Sequence, residues 1–373
     1  MNTILLNTVS LDGGTIIKKG SGGGSQGGGG NTPTPTPGMP VIGDGKTYLY
    51  IKIAAEGRMT VPLYFSQTVA NDVTIDWGDG SAPQTLSGTG NVNTTHTYAE
   101  IGEYVISLDP ADGCTLGLGH KSFSYCVLGS TGDSGKVYSN MLQAVEIGKN
   151  VTTIDNYAFA YCYSLTSIVI PQGVTKIGDY TFDDCSSLAS IVIPDSVTSI
   201  GSNAFAYCYS LASVVIPNSI TSIGSYTFRR CYSLASVVIP DSVTIIDDYA
   251  FNGCYSLASI VIPSSVTSIG SNAFSDCYPL ASIVIPNSVT SIGEYAFRNC
   301  YSLASIVIPN SVTSIGKSAF DKCSSLASIV IPNSVTSIGY YAFQYCYGMA
   351  FYDFSQATVV PSLATNVFSS IPS

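Results

Sequence analysis

Eleven cysteines, two histidines and an acidic pair beside the single tryptophan are the side chains of this 373-residue chain with obvious chemistry. Nine of the cysteines, at 162, 185, 208, 231, 254, 277, 300, 323 and 346, recur every 23 residues without a slip in register. Thiol chemistry needs a thiolate held by a base or cation, and a metal needs ligands at short paired spacing. Neither requirement is met: the chain has no Cys-x-x-Cys, and His96 and His120 both precede the ladder. An odd ladder in register has no natural disulfide pairing, so these nine read as buried free thiols packing as small apolar groups. Cys114 and Cys126, outside the ladder, read either as free thiols or as a pair with each other.

Asp76 and Asp79 flank Trp77 and admit a carboxylate-pair or calcium reading; the preferred one makes them hydrogen-bonding carboxylates at the start of a hairpin. Serines abound, yet none sits in Gly-x-Ser-x-Gly between a strand and a helix. With so little histidine to act as a base, the expectation is a protein that is not an enzyme and needs no cofactor or metal.

The repeat that carries the thiols is the organising element. One unit runs Cys208-Tyr-Ser-Leu211-Ala-Ser-Val214-Val-Ile216-Pro217-Asn-Ser-Ile220-Thr-Ser-Ile223-Gly224-Ser-Tyr-Thr-Phe228-Arg-Arg, and phenylalanine keeps the same period from 159 to 343. In the coil that opens at Leu165, alternation at Ile168 and Ile170 points both side chains inward, leaves Ser167 and Val169 outside, and predicts a short strand ended by Pro171. Val174 and Ile177 form a second inward pair, Gly178 permits a bend, and Phe182 and Cys185 return to the interior. Burying about six apolar side chains yields roughly 1.5–3 kcal/mol each, whereas ordering 23 backbone residues costs about 1–2 kcal/mol apiece. One unit cannot fold alone, so the coils must stack as a solenoid.

The pattern Leu-x-x-Ile-x-Ile-Pro-x-x-Val-x-x-Ile-Gly-x-x-Ala-Phe-x-x-Cys, traced from Leu142 to Cys346, resembles the BspA-like (Treponema pallidum) type of leucine-rich repeat. That resemblance implies a mainly β solenoid and a surface protein used in adhesion and recognition. Upstream, Ile75-Asp76-Trp77-Gly78-Asp79-Gly80-Ser81 with His96-Thr97-Tyr98 and Gly102-Glu103-Tyr104-Val105-Ile106 resembles the PKD domain, a small immunoglobulin-like β-sandwich.

In chain order, the expected parts are a short apolar segment at 1–19 with a hairpin at Gly13-Gly14, a Gly-rich and Thr-Pro linker at 20–45, the PKD-like sandwich at 46–110, and an N-terminal solenoid cap at 111–138. The repeats follow at 139–347, and a C-terminal cap at 348–373, where Asn366-Val367-Phe368 echoes the repeat. No signal peptide is visible at the start, and no stretch approaches the roughly 20 apolar residues of a membrane helix. Only 10% of residues are charged, against about 25% in an ordinary soluble protein, and the surface reads as extracellular or as that of a cell or virion. A net charge of -10 with no basic stripe excludes nucleic acid as partner.

The outward strand face is a uniform row of Ser and Val, from Ser167 and Val169 to Ser328 and Val330. Variety collects on the flank. Tyrosine follows the cysteine at Tyr163, Tyr209, Tyr232, Tyr255, Tyr278 and Tyr301, and charge gathers after the phenylalanine as Asp183, Asp184, Arg229, Arg230 and Arg298. These are the candidate ligand-binding residues, because tyrosine supplies rigid amphipathic contact area at low entropy cost; the plainer alternative is that the rings only cover the solenoid. Three roles fit: a phage tail-type or other receptor-binding adhesin recognising a cell-surface protein or polysaccharide, a bacterial cell-surface adhesin, or a self-assembling structural repeat. The first is preferred, with 1–19 as an assembly or homo-oligomer segment.

Overall fold

The computed structural model describes residues 10–11, 14–15, 44–67, 72–119, 125–130, 138, 140–353, 362–363 and 366–369. The chain divides into two compact units, Met1–Asp44 and Gly45–Ser373. In the first, Ser10–Leu11 pairs antiparallel with Gly14–Thr15. The linker expected at 20–45 falls outside the described residues up to position 43, as do parts of both expected caps.

The repeats form the coils that the spacing predicts. In the coil beginning at Cys208, the strand Ser213–Val215 buries Val214 and leaves Val215 60% exposed, Ile216 turns back inward, and the Ile220 amide closes a turn onto the Pro217 carbonyl at 3.1 Å. After Ser222–Ile223 and Gly224, the chain enters a tight spiral that places Phe228 and then Cys231 in the core with no exposed surface. The inward anchors Leu165, Ile168, Ile170, Val174, Ile177, Phe182 and Cys185 are all buried. The phenylalanines make one column from Phe159 to Phe368, with ring centroids 5.3–5.5 Å apart along it.

The hydrogen-bond spine is not where strand periodicity would put it. The strands of the outer row are three residues long and their pairing is interrupted, so that Ser213–Val215 pairs with Ser236–Val238 and Ser282–Val284 with Ser305–Val307 as separate two-stranded sheets, whereas the two-residue strands of the second row join in one seven-stranded sheet from Ser222–Ile223 to Ser362–Leu363. The spiral is continuous instead. Tyr226, Phe228 and Arg230 donate to the carbonyls of Asp248, Ala250 and Asn252 in the next coil at 2.9, 2.8 and 2.7 Å, and the same three bonds recur in every coil from Tyr157 to Lys322. Alternate peptides can align this way because the residues two before and two after each phenylalanine are left-handed, as in Tyr226 (φ 61°) and Arg230 (φ 57°). Left-handed backbone is costly for bulky side chains, by about 1–2 kcal/mol per residue. Here each such residue secures an inter-coil bond, and a buried amide left unpaired would cost about as much.

The two sheets of the N-terminal sandwich run directly into the solenoid. One has the order Ser167–Val169, Leu142–Glu146, Thr47–Ile53, Gly102–Pro110, Val73–Asp76, Gln84–Leu86; the other runs Ser199–Ile200, Lys176–Ile177, Val151–Ile154, Leu116–Leu118, Thr60–Gln67, Gly90–Thr97. Thr47–Ile53 therefore covers the free edge of the first strand row, and Leu116–Leu118, backed by Thr60–Gln67, covers the second. At the far end, Phe351–Asp353 pairs with Ser328–Val330, and Phe343 and Tyr345 donate to Val367 and Ser369, so the closing segment traces one more coil. The last repeat strand of each row, Ser328–Val330 and Ser337–Ile338, thus meets a backbone partner from the closing segment.

Within the sandwich, Trp77 is buried and stacks on His96 at 4.9 Å, while the Tyr98 hydroxyl donates to the Trp77 carbonyl at 2.9 Å. Asp76 and Asp79 act as turn carboxylates, accepting from the amides of Gly78 and Ser81. Gly78 lies at φ 75°, and a Cβ there would sit 2.4 Å from the Val105 carbonyl oxygen, which accounts for the glycine. His96 Nε2 is 2.7 Å from Asp79 Oδ2. Burial by itself would raise the Asp79 carboxyl, but the bonds from Ser81 and His96 outweigh it and hold the group down at about 2.

Candidate functional site

Five of the six candidate tyrosines form one continuous stack. Tyr209, Tyr232, Tyr255, Tyr278 and Tyr301 follow one another at 4.6, 4.5, 4.7 and 5.1 Å between ring centroids, with planes within 22° of parallel. The stack arises because the residue after each cysteine leaves the core at the same angle in every coil, and coil spacing matches ring spacing. Tyr163 stands apart, since Ser186 breaks the row; its ring lies 6.3 Å from Tyr161 and is tilted by 53°. Burial, then the Asp184 carboxylate, pushes its phenol up to about 12. Burial likewise raises Tyr209, Tyr232 and Tyr278, with the positive Arg230 opposing it at the first two. These phenols stay protonated at any physiological pH, so each offers a donor and an acceptor above an aromatic face.

The candidate charges divide between surface and structure. Arg229 reaches over the rings of both Tyr207 and Tyr226 at 5.4 Å, and Arg230 over Tyr207 at 5.5 Å. Tyr207 is also edge-on to Tyr209 at 6.2 Å, which joins these arginines to the foot of the stack. Arg298 lies elsewhere on the flank, donating from Nε to Asp321 at 3.2 Å and resting over Tyr295 at 5.6 Å. Asp183 is only 6% exposed, and its carbonyl accepts the Tyr161 amide, because the residue after phenylalanine points toward the neighbouring coil. Asp184 occupies a left-handed position at φ 60°.

A second aromatic row was visible in the sequence as tyrosine two before phenylalanine, though it was not among the candidates. It stacks as Tyr157 on Tyr180 at 4.8 Å and Tyr226 on Tyr249 at 4.6 Å, and is interrupted by Asn203, Asn272 and Ser318. Its left-handed backbone was not foreseen. The available signal was the appearance of Asn203, Asn272, Gly253 and Asn299 at the two left-handed positions, the residue types that tolerate it best.

A family model described as the BspA type leucine rich repeat region matches in six copies, over residues 135–258 and 221–350, which is more than half of the chain. The chain belongs to the BspA-type leucine-rich repeat family. Among solved structures, a leucine-rich repeat protein from Bacteroides ovatus is 27% identical, with 62% of this chain and 76% of that one covered and a TM-score of 0.44. A leucine rich cell surface protein from Faecalibacterium prausnitzii is 32% identical over 63% and 79%, with a TM-score of 0.38. The T. pallidum leucine rich repeat protein is 29% identical over 56% and 83%, with a TM-score of 0.38. No curated protein matches.

In this BspA-type solenoid the cysteine ladder does structural work. Each thiol from Cys185 to Cys346 donates to the carbonyl of the phenylalanine 26 residues earlier at 3.1–3.3 Å, as Cys254 does to Phe228 at 3.3 Å. Complete burial pushes these thiols well above their ordinary range, and Cys346 up to about 12. All eleven cysteines are buried, Cys114 and Cys126 included, and the nine of the ladder are free thiols. A thiol reagent at neutral pH is expected to label none of the nine ladder cysteines in the folded protein and all nine after denaturation. Labelling of a ladder cysteine under native conditions would contradict the burial of the column. Among the described residues, no cluster of three or more His, Cys, Asp or Glu could hold a metal, and no helix is long and apolar enough to cross a membrane.

Proposed function

We propose that this protein is a non-enzymatic recognition module, displayed at a surface, that grips a cell-surface protein or polysaccharide through the tyrosine flank of its solenoid. The observation that carries this reading is the five-ring stack from Tyr209 to Tyr301, a rigid and regular aromatic strip. Weak contacts repeated at each coil gain by avidity on a ligand that is itself repetitive. Arg229 and Arg230 add cationic character at the foot of the strip, where Tyr207 and Tyr226 hold them in place. Such a head suits a cell envelope and a phage tail-type particle alike, and the sandwich would then act as its PKD-like mount.

The test is saturable binding of the full chain to intact gut-type bacterial cells. Replacing Tyr209, Tyr232 and Tyr255 together with serine should weaken it by at least tenfold, since aromatic anchors carry most of the free energy at recognition surfaces.

A further inference from the structure

Tyr295 and Tyr341 occupy the same row two coils apart, and Ser318 stands where the intervening ring would be. Ring separations between adjacent coils in this row are 4.6–4.8 Å. Across a missing ring they come to about 9–10 Å, twice the strand spacing. That gap admits one flat ring at roughly 4.5–5 Å from each tyrosine, the distance at which stacked rings pack.

The gap is one part of a shallow cavity of about 510 Å³ that also extends past Tyr295 to Asn272 and Tyr249; its rim is polar, and Ser318 lies beneath it with 4% of its surface exposed. Arg298, Lys317 and Asp321 line it with the two tyrosines and Ser318. Arg298 is fixed by its bond to Asp321, whose side chain is only 7% exposed, and Lys317 lies 5.5 Å from the Tyr295 ring centre. A phenyl group from a protein partner would satisfy the two faces and leave this polar rim unpaired, which is costly once desolvated. A sugar ring has apolar C–H faces and a circumference of hydroxyls that both donate and accept. We infer that the slot between Tyr295 and Tyr341, floored by Ser318, is a pyranose-binding site that holds one hexose unit of a polysaccharide edge-in.

This deepens the recognition reading above and rests on it. The row continues the same way one step back, where Asn272 separates Tyr249 from Tyr295 and borders the same cavity. Two slots two coils apart would then seat alternate units of one chain.

The discriminating variant fills the slot rather than emptying it. Six coils already carry tyrosine at this left-handed position, at 157, 180, 226, 249, 295 and 341, so Ser318→Tyr completes the row without new backbone strain. Full-length protein is titrated by calorimetry and saturation-transfer NMR with oligosaccharides of neutral hexoses, N-acetylhexosamines and hexuronic acids, and with a tyrosine-rich peptide. The expected result is binding of at least one oligosaccharide class, lost at least tenfold in Ser318→Tyr and in Tyr341→Ala. The control Asn203→Tyr, which fills the equivalent position away from the cavity, keeps full affinity, and thermal melting of every variant confirms folding. Absence of oligosaccharide binding, undiminished binding by Ser318→Tyr, or preference for the peptide each overturns the assignment. If Ser318→Tyr binds whole cells as the native chain does, the slot is wrong while recognition through the stack stands. If the native chain binds no cells, both fail.

Discussion

Replacing Phe251 with alanine is expected to lower the stability of the full chain by about 3–5 kcal/mol, the usual cost of deleting a buried ring. Phe251 has no exposed surface and stacks on Phe228 and Phe274 at 5.5 Å on either side. No side chain can collapse sideways into the hole, because the neighbouring positions are held by the inter-coil bonds of the spiral, with Phe251 donating to Ala273 at 2.8 Å and the Cys277 thiol donating back to the Phe251 carbonyl at 3.3 Å. A solenoid is stabilised chiefly by contacts between neighbouring coils, so a defect in the middle also weakens the coupling of its two halves. Denaturant unfolding followed by circular dichroism should show an earlier and broader transition. The same change at Phe368, half-buried at the end of the column where it stacks on Phe343, should cost markedly less. Equal losses at the two sites would mean that the column is not the spine.

The second large effect separates two glycines that occupy the same place in the repeat. A Cβ at Gly293 would lie 2.6 Å from the Gly270 carbonyl group, inside any permitted contact with the previous coil's backbone. At Gly224 the nearest atom to such a Cβ is the Thr227 hydroxyl at 3.5 Å, an ordinary contact. Gly293→Ala should therefore destabilise by roughly 1–3 kcal/mol through overpacking against immovable backbone. Gly224→Ala should be neutral or stabilise by about 0.4–1 kcal/mol, since it restricts the unfolded chain without strain. The difference has a visible origin. The ladder bond that joins Gly201 to Ile177 at 2.9 Å and Gly293 to Ile269 at 3.2 Å places each of those glycines against the coil before it, and the strand pairing of this row stops between Ser199–Ile200 and Ser222–Ile223. Chemical denaturation of the two single variants checks the contrast directly.

The coil itself was legible from sequence because its determinants are local and repeated nine times over. Ile168 and Ile170 alternate, Pro171 stops the strand, and Phe182 and Cys185 return at fixed spacing, so the inward set needs no long-range information. What escaped the sequence was anything that depends on how one coil meets the next. The spiral ladder requires left-handed backbone at residues such as Tyr226, Arg230 and Lys322, types that rarely adopt it and so give no local warning. The union of the sandwich with the solenoid depends on Thr47–Ile53 pairing with Leu142–Glu146, about ninety residues away, and nothing in either segment names the other. The candidate site was legible to the same degree. The row of Tyr209 to Tyr301 follows from the period, whereas the inward turn of Asp183 and the engagement of Arg298 with Asp321 follow from contacts across coils.

The central claim is that the flank, and not the flat strand face, is the working surface. The strand face carries its own exposed row, in which Val192, Val261, Val284 and Val307 are each at least 75% exposed, so it is the natural competitor. The most direct measurement compares saturable cell binding by three full-length proteins: the native chain, the chain with Tyr209, Tyr232 and Tyr255 changed to serine, and the chain with Val192, Val261 and Val284 changed to serine. The account predicts that the tyrosine variant loses at least tenfold in affinity while the valine variant binds as the native chain does. Loss of binding in the valine variant, with the tyrosine variant unaffected, would contradict it and move recognition to the strand face.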